Sequence, residues 1–151
     1  MIVATTIYKK GHQILLMKKR EYQRYTMPGG KAEVGESPIK AASRELFEET
    51  GLTANALELK VISKVKMGKK EFEMYTYFTE DCTGEIGYDN REGDLEWINI
   101  EDIHDIKMYE GDRYVIEHLL NCDECSKMDF IYDDVRNFVS YSKESENNEN
   151  S

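Results

Sequence analysis

Two apolar, β-rich runs, Ile2 to Tyr8 and Ile14 to Met17, flank the polar turn "KKGHQ" and predict an opening hairpin. Lys18 to Thr26 is polar and mixed, and reads as a loop or irregular strand. "MPGG" at Met27 to Gly30 marks a sharp change of chain direction. The pattern then becomes helical. Ser37 stands where an N-cap belongs, Pro38 in the first turn and Gly51 as a stop, so the helix is expected to run from Pro38 to Thr50. At ~100° per residue, Ile39, Ala42 and Leu46 share an arc of roughly 60° and form the face expected to lie on a sheet. Glu45, Glu48 and Glu49 occupy the neighbouring arc, three carboxylates on adjacent turns.

Leu57 to Val65 and Glu71 to Phe78 predict a second hairpin around "KMGKK". Asp81 to Asp94 reads as a long polar loop, Leu95 to Ile98 as a short strand and "NIEDIHDI" as a turn or short helix. Gly111 to Leu120 predicts a further helix, and Met128 to Asp134 a late edge strand. From Ser142 the chain is polar and acidic without apolar anchors, so residues 1–141 are expected to form the domain and 142–151 a disordered tail. Strands on both sides of a central helix, followed by a second helix, point to the α/β class with a mixed sheet.

The length of 151 residues suits one domain, and 40% hydrophobic residues suffice for its core. Thirty acidic residues against 20 basic ones give a net charge of −10. That balance disfavours a stable complex with nucleic acid, which needs Lys and Arg to displace counterions. It also means that an anionic substrate needs local cations. No run approaches the ~20 apolar residues of a membrane span, and "MIVATTIYKKG" reads as a strand rather than a signal peptide. Three cysteines, Cys82, Cys122 and Cys125, fit no disulfide framework and leave the cytoplasm as the expected location. "CDEC", with His118 nearby, lacks the second ligand pair of a structural zinc site and is read as incidental thiols.

An acidic helix face is usually a solvated surface. Here the carboxylates lie between a Gly-Gly turn and Gly51, an arrangement suited to a hard dication such as Mg²⁺, which takes oxygen ligands and retains waters. Gly30, without a side chain, could add its carbonyl. Glu36 could pair with Arg44 and fix the loop over the helix.

Gly30, Glu36, Arg44-Glu45-Leu46, Glu48-Glu49 and Gly51-Leu52 fall at the spacing G-x5-E-x7-R-E-U-x-E-E-x-G-U. This stretch resembles the Nudix box, and the flanking order of elements resembles the Nudix α/β/α sandwich. The resemblance implies hydrolysis of a pyrophosphate bond in a nucleoside diphosphate linked to another group, with Mg²⁺, or alternatively Mn²⁺, as cofactor. It implies that Glu45, Glu48 and Glu49 with Gly30 hold metal, that Glu45, Glu48 and Arg44 belong to the catalytic set, and that Glu36 supports it. The family draws a further acid from a distant loop; Asp89, Glu92, Asp94 and Glu96 are candidates, with Glu92 preferred.

The segment "EGDLEWINIEDIHDIKMYEGDRYVIEHLL", Glu92 to Leu120, resembles the MutT-type 8-oxo-dGTP diphosphatases, especially a Gram-positive branch. By that likeness Tyr109 stacks on a purine and Asp112 meets its hydrogen-bonding edge. The alternative is that Asp112 caps a helix while Tyr109 lies in the core. The downstream proline of the ADP-ribose type and the zinc ribbon of the NADH type are absent. A nucleotide sugar, a dinucleotide polyphosphate, 5′-triphosphate RNA or non-catalytic nucleotide binding are the rival readings. The expected partner is a small nucleotide, with no membrane, and the protein a monomer or homodimer.

Overall fold

The computed structural model describes residues 1–87 and 92–145. Eleven strands are placed there: β1 (Ile2–Lys10), β2 (Gln13–Lys19), β3 (Tyr25–Thr26), β4 (Gly29–Lys31), β5 (Thr53–Ala54), β6 (Glu58–Met67), β7 (Lys70–Thr79), β8 (Cys82–Thr83), β9 (Gly93–Asn99), β10 (Ser126–Tyr132) and β11 (Phe138–Ser145). The helices are α1 (Pro38–Thr50) and α2 (Glu110–Asn121), with a 3-10 helix at Ile100–Asp105.

Nine strands form one mixed sheet, in the order β11-β10-β6-β7-β1-β2-β3, with β4 on β1 and β9 on β2. The pairs β1–β7 and β10–β6 are parallel, and the other pairs in this sheet are antiparallel. Side chains alternate across a strand. On β1 and β7, Ala4 and Tyr77 therefore join Ala41 and Ala42 of α1 in one cluster. Ile7 and Met74 join Val115, Ile116 and Leu119 of α2 in another. Each of those three α2 side chains contributes about 1.5–3 kcal/mol by leaving water. The result is the expected α/β architecture with a mixed sheet.

The limits of α1 match the sequence expectation because its signals are local. Ser37 Oγ accepts from the Lys40 N–H, and Gly51, at φ 82°, closes the helix by donating to the Phe47 carbonyl. Its buried face differs from the expected one. Ile39 is 45% exposed, whereas Ala41, Ala42, Leu46 and Thr50 are buried. Ile39 has the right azimuth but lies in the first turn; burial begins at Ala41. On the helical wheel Glu45 and Glu49 lie between Ala41 and Ala42, inside the buried arc rather than beside it. The two alanines are small enough to let the helix approach the sheet.

Two further expectations change. The strand predicted at Met128 to Asp134 runs from Ser126 to Tyr132 and is interior, paired on both sides by β6 and β11. The edge is β11, so Ser142 to Ser145, expected in the tail, pair with Asp129 to Ser126. The remainder of the expected tail lies outside the described residues. Among the described residues no helix is long and apolar enough to cross a membrane.

Candidate active site

The short strand β4 carries two glycines beneath α1. Gly29 donates its N–H to Glu49 Oε2 at 3.0 Å. A Cβ on Gly30 would lie 2.6 Å from the Glu45 carboxyl carbon, so a side chain there would displace that carboxylate. A Cβ on Gly29 would collide with the Ala4 carbonyl of β1. The Gly-Gly pair of β4 thus lets the sheet meet two helix carboxylates.

Arg44 organises the junction. Its Nε and Nη2 donate to the two oxygens of Glu36 at 2.8 and 2.9 Å, a bidentate pair. Nη1 donates to Glu45 at 3.0 Å and Glu48 at 3.1 Å, and Nη2 also reaches the Lys31 carbonyl at 3.0 Å. Glu36 additionally accepts from the Glu33 N–H at 3.0 Å. Hydrogen bonds from Arg44 and then Glu33 hold the Glu36 carboxyl down to about 2. The loop and helix are therefore joined by one guanidinium.

Glu49 is the electrostatic exception. Burial pushes its carboxyl up to about 7; the Gly29 N–H and Lys19 oppose this, while Glu45 and Glu92 reinforce it. Such a carboxyl is suited to cation binding, since a dication offsets the cost of burying its charge. The residues present fit a divalent metal in that respect. Among the described residues, no three acidic, His or Cys side chains converge closely enough to hold an ion in this arrangement. The reason is visible at Glu48, whose side chain is 55% exposed and tied to Arg44 rather than turned toward Glu49. Of the expected set Gly30, Glu45, Glu48 and Glu49, the structure joins Glu45 and Glu49 at the glycines and leaves Glu48 on the rim.

Beside Glu49 and Gly29 a cavity of about 230 Å³ enters the core, walled by Val65, Met67, Phe72, Met74, Phe130 and Tyr132. Asp112 lies at its wall. Burial pushes this carboxyl up to about 7, with Arg24 in partial opposition. The neighbouring Gly111 is packed against Tyr132: its N–H donates to Tyr132 Oη at 2.7 Å, and a Cβ there would sit 2.6 Å from that oxygen. The helix begins at Glu110 with Tyr109 as its N-cap, so Asp112 is not the cap. Tyr109 lines the cavity, but the Arg24 guanidinium lies 4.1 Å from its ring centroid and Tyr132 meets it edge-on at 5.7 Å. The ring expected to stack on a base already has a cationic neighbour over one face.

Outside this cavity lies a vestibule of about 550 Å³, lined by Lys19, Arg20, Tyr22, Arg24, Tyr109 and Arg136 among others. Glu92 also lines it, with Lys19 Nζ at 2.6 Å. Asp94 pairs with Arg20 at 3.2 Å, and Glu96 accepts from Tyr25 Oη at 3.0 Å. Asp89 lies outside the described residues. Of the candidate loop acids, Glu92 is the one that reaches both the vestibule and the field of Glu49.

The cations were missed in the sequence, although "KKREYQR" at Lys18 to Arg24 is a basic run in an acidic chain. Arg136 carries no such signal. Among the described residues neither "CDEC" cysteine is in a disulfide, and His118 is turned to the Glu124 carbonyl at 2.8 Å.

The model of the NUDIX domain matches residues 2–119. The chain belongs to the Nudix family. It is 28% identical to an uncharacterized Nudix hydrolase, YvcI, of Bacillus subtilis, over 92% of this chain and 91% of that one. It is 32% identical to an 8-oxo-dGTP diphosphatase of Haemophilus influenzae, over 61% and 71% of the two chains. Its fold matches a crystal structure of a mutator MutT protein from Bacillus halodurans with TM-score 0.90 and 30% identity, covering 95% of this chain and 97% of that one. The protein is thus a Nudix hydrolase, an enzyme acting on pyrophosphate bonds.

Proposed function

We propose that this Nudix hydrolase cleaves purine nucleoside triphosphates, oxidised ones such as 8-oxo-dGTP foremost, to the monophosphate and pyrophosphate, with Mg²⁺ as the preferred metal and Mn²⁺ as the alternative. The observation that carries the reading is the apolar cavity that starts at Glu49 and has Asp112 in its wall. A carboxyl with a pKa of about 7 retains a proton over much of the physiological range, so it can both donate and accept. That suits a base edge carrying a donor next to an acceptor. Relatives named for 8-oxo-dGTP hydrolysis support the same reading.

The divalent metal would supply neutralisation of phosphoryl charge and a more acidic water. Glu45 and Glu49, with the Gly30 carbonyl, would hold it, and Glu48 would join from the rim. Arg44 fixes Glu45 and the Glu36 loop in position. Lys19 places positive charge beside Glu49 and the phosphate path. Glu92, at the vestibule edge, is the acid assigned to accept the proton of the attacking water. We place the reaction in the cytoplasm.

The test is a product assay with Mg²⁺ on 8-oxo-dGTP, dGTP, ADP-ribose, diadenosine polyphosphates and 5′-triphosphate RNA. Monophosphate plus pyrophosphate, formed fastest from 8-oxo-dGTP, is expected. Faster release of two monophosphates from ADP-ribose would overturn the substrate assignment while leaving the family chemistry in place.

A further inference from the structure

The vestibule is built from segments far apart in sequence. Lys19 comes from the end of β2, Arg20, Tyr22 and Arg24 from the β2–β3 connection, Tyr109 from the start of α2 and Arg136 from the β10–β11 turn. That last turn lies beyond the residues matched by the family model. Both flanking turns hold a non-glycine residue in the left-handed region, Gln23 at φ 53° and Arg136 at φ 67°. Such backbone persists only where surrounding bonds impose it. In one turn the Gln23 N–H and side-chain amide donate to the Lys19 and Arg20 carbonyls. In the other, Asp133 Oδ1 accepts from the Val135 and Asn137 N–H groups, and the Arg136 N–H donates to the Asp133 carbonyl. Two braced turns thus present arginines to one space.

Charge pairing divides the cations. Lys19 and Arg20 face Glu92 and Asp94. Among the described residues Arg24 and Arg136 have no ion pair within 4.0 Å. They are held by aromatic groups: Arg24 over the Tyr109 ring, and Arg136 donating to Tyr109 Oη at 3.3 Å while lying 5.7 Å from the Tyr22 centroid. A guanidinium held against an aromatic ring keeps N–H donors for a further acceptor such as a phosphate, and Arg136 meets Tyr109 Oη through Nη1. Arg24 also faces the buried Asp112 carboxyl, opposing the rise that burial gives its pKa, so its charge lies between that wall and the open vestibule.

The vestibule also has a direction. Lys19, Thr26 and Tyr109 line both it and the inner cavity, and Glu49 lines the inner cavity. A nucleotide with its base in the apolar cavity and its scissile bond at Glu49 would send its remaining phosphates past Lys19 into the vestibule. We propose that Arg24 and Arg136 form a subsite for the terminal phosphates of the substrate, the group that leaves as pyrophosphate. This rests on the triphosphate reading above. It makes the β10–β11 turn a determinant of preference for triphosphates over diphosphates.

Two measurements test it. The first is calorimetric titration of inorganic pyrophosphate without divalent metal, so that the glutamate site contributes little. Arg24→Gln and Arg136→Asn, the latter compatible with left-handed backbone, are expected to weaken binding about tenfold. Lys64→Gln, which removes an exposed charge on β6, should not. Equal weakening by all three, or no binding by the wild type, would overturn the subsite. The second is the ratio of kcat/KM for dGTP over dGDP, expected to fall about tenfold in Arg136→Asn at an unchanged melting temperature. An equal loss on both nucleotides would show that Arg136 only steadies Tyr109, and would also overturn it. If neither nucleotide is hydrolysed, the functional reading fails, and the pyrophosphate titration still decides the subsite.

Discussion

Two carboxyls at the site share a pKa near 7 for one physical reason, burial, yet they face different demands. Glu49 lies at the glycines of β4, where a cation would relieve its charge; Asp112 lies in an apolar wall, where a proton would. The Asp112 carboxyl rises from 3.8 to about 7 on folding, so the folded state binds more protons between those values. Its contribution to stability is complete below the lower value and is lost as pH rises through the upper one. Asp112→Asn is therefore expected to melt higher than wild type at about pH 8, with the difference shrinking toward about pH 4. Melting curves across that range check this; a gap independent of pH would contradict it. The same variant, which has lost the switchable proton, should discriminate less well between 8-oxo-dGTP and dGTP. Gly30 gives a second expectation, because a methyl there meets the Glu45 carboxyl at 2.6 Å. Gly30→Ala should lower kcat by about 10²-fold, with a smaller effect on thermal stability, since misplacement at a reacting centre is costly. Near-normal turnover would show that the Glu45 position is unimportant.

The elements differ in how far they were legible. Helix α1 could be bounded to the residue because Ser37, Pro38 and Gly51 act within one turn of its ends. Glu36, Arg44 and the glutamates could be located because their spacing is rigid; in the structure Arg44 holds Glu36, Glu45 and, on the rim, Glu48, while Glu49 meets the Gly29 N–H. The two-residue strands β3, β5 and β8 are too short for any period to show. Strand β11 was hidden differently: its alternation is half polar, and its apolar anchors Phe138 and Tyr141 matter through stacking with Tyr114 and Phe130. Ile39 shows the limit of a helical wheel, which gives azimuth but not where along its length a helix meets its sheet. At the far end of α1, Gly51 is constrained twice, by φ 82° and by the Glu85 carbonyl 2.7 Å from where a Cβ would stand. Gly51→Ala is expected to cost about 1–3 kcal/mol in denaturant unfolding. A change below about 0.5 kcal/mol would mean that the loop after α1 yields freely.

The fold solves the problem set by its charge by gathering cations from segments distant in sequence. Lys19, Arg24 and Arg136 meet only when β2, β3, α2 and the final hairpin assemble, so no linear motif could reveal the vestibule. The vestibule and the apolar cavity join at Lys19, Thr26 and Tyr109, and Glu49 of α1, bonded to Gly29 of β4, lines the cavity. On the proposed reading this arrangement separates three tasks: an apolar pocket for a base, carboxylates for a dication and arginines for the outer phosphates. The claim on which all three depend is that the α1 carboxylates carry the chemistry. The most direct measurement is the turnover of Glu49→Gln on 8-oxo-dGTP at saturating Mg²⁺, beside its melting curve. The account predicts a loss of ~10³-fold, equivalent to ~4 kcal/mol of transition-state stabilisation, with the fold intact. Turnover within about tenfold of wild type would contradict it.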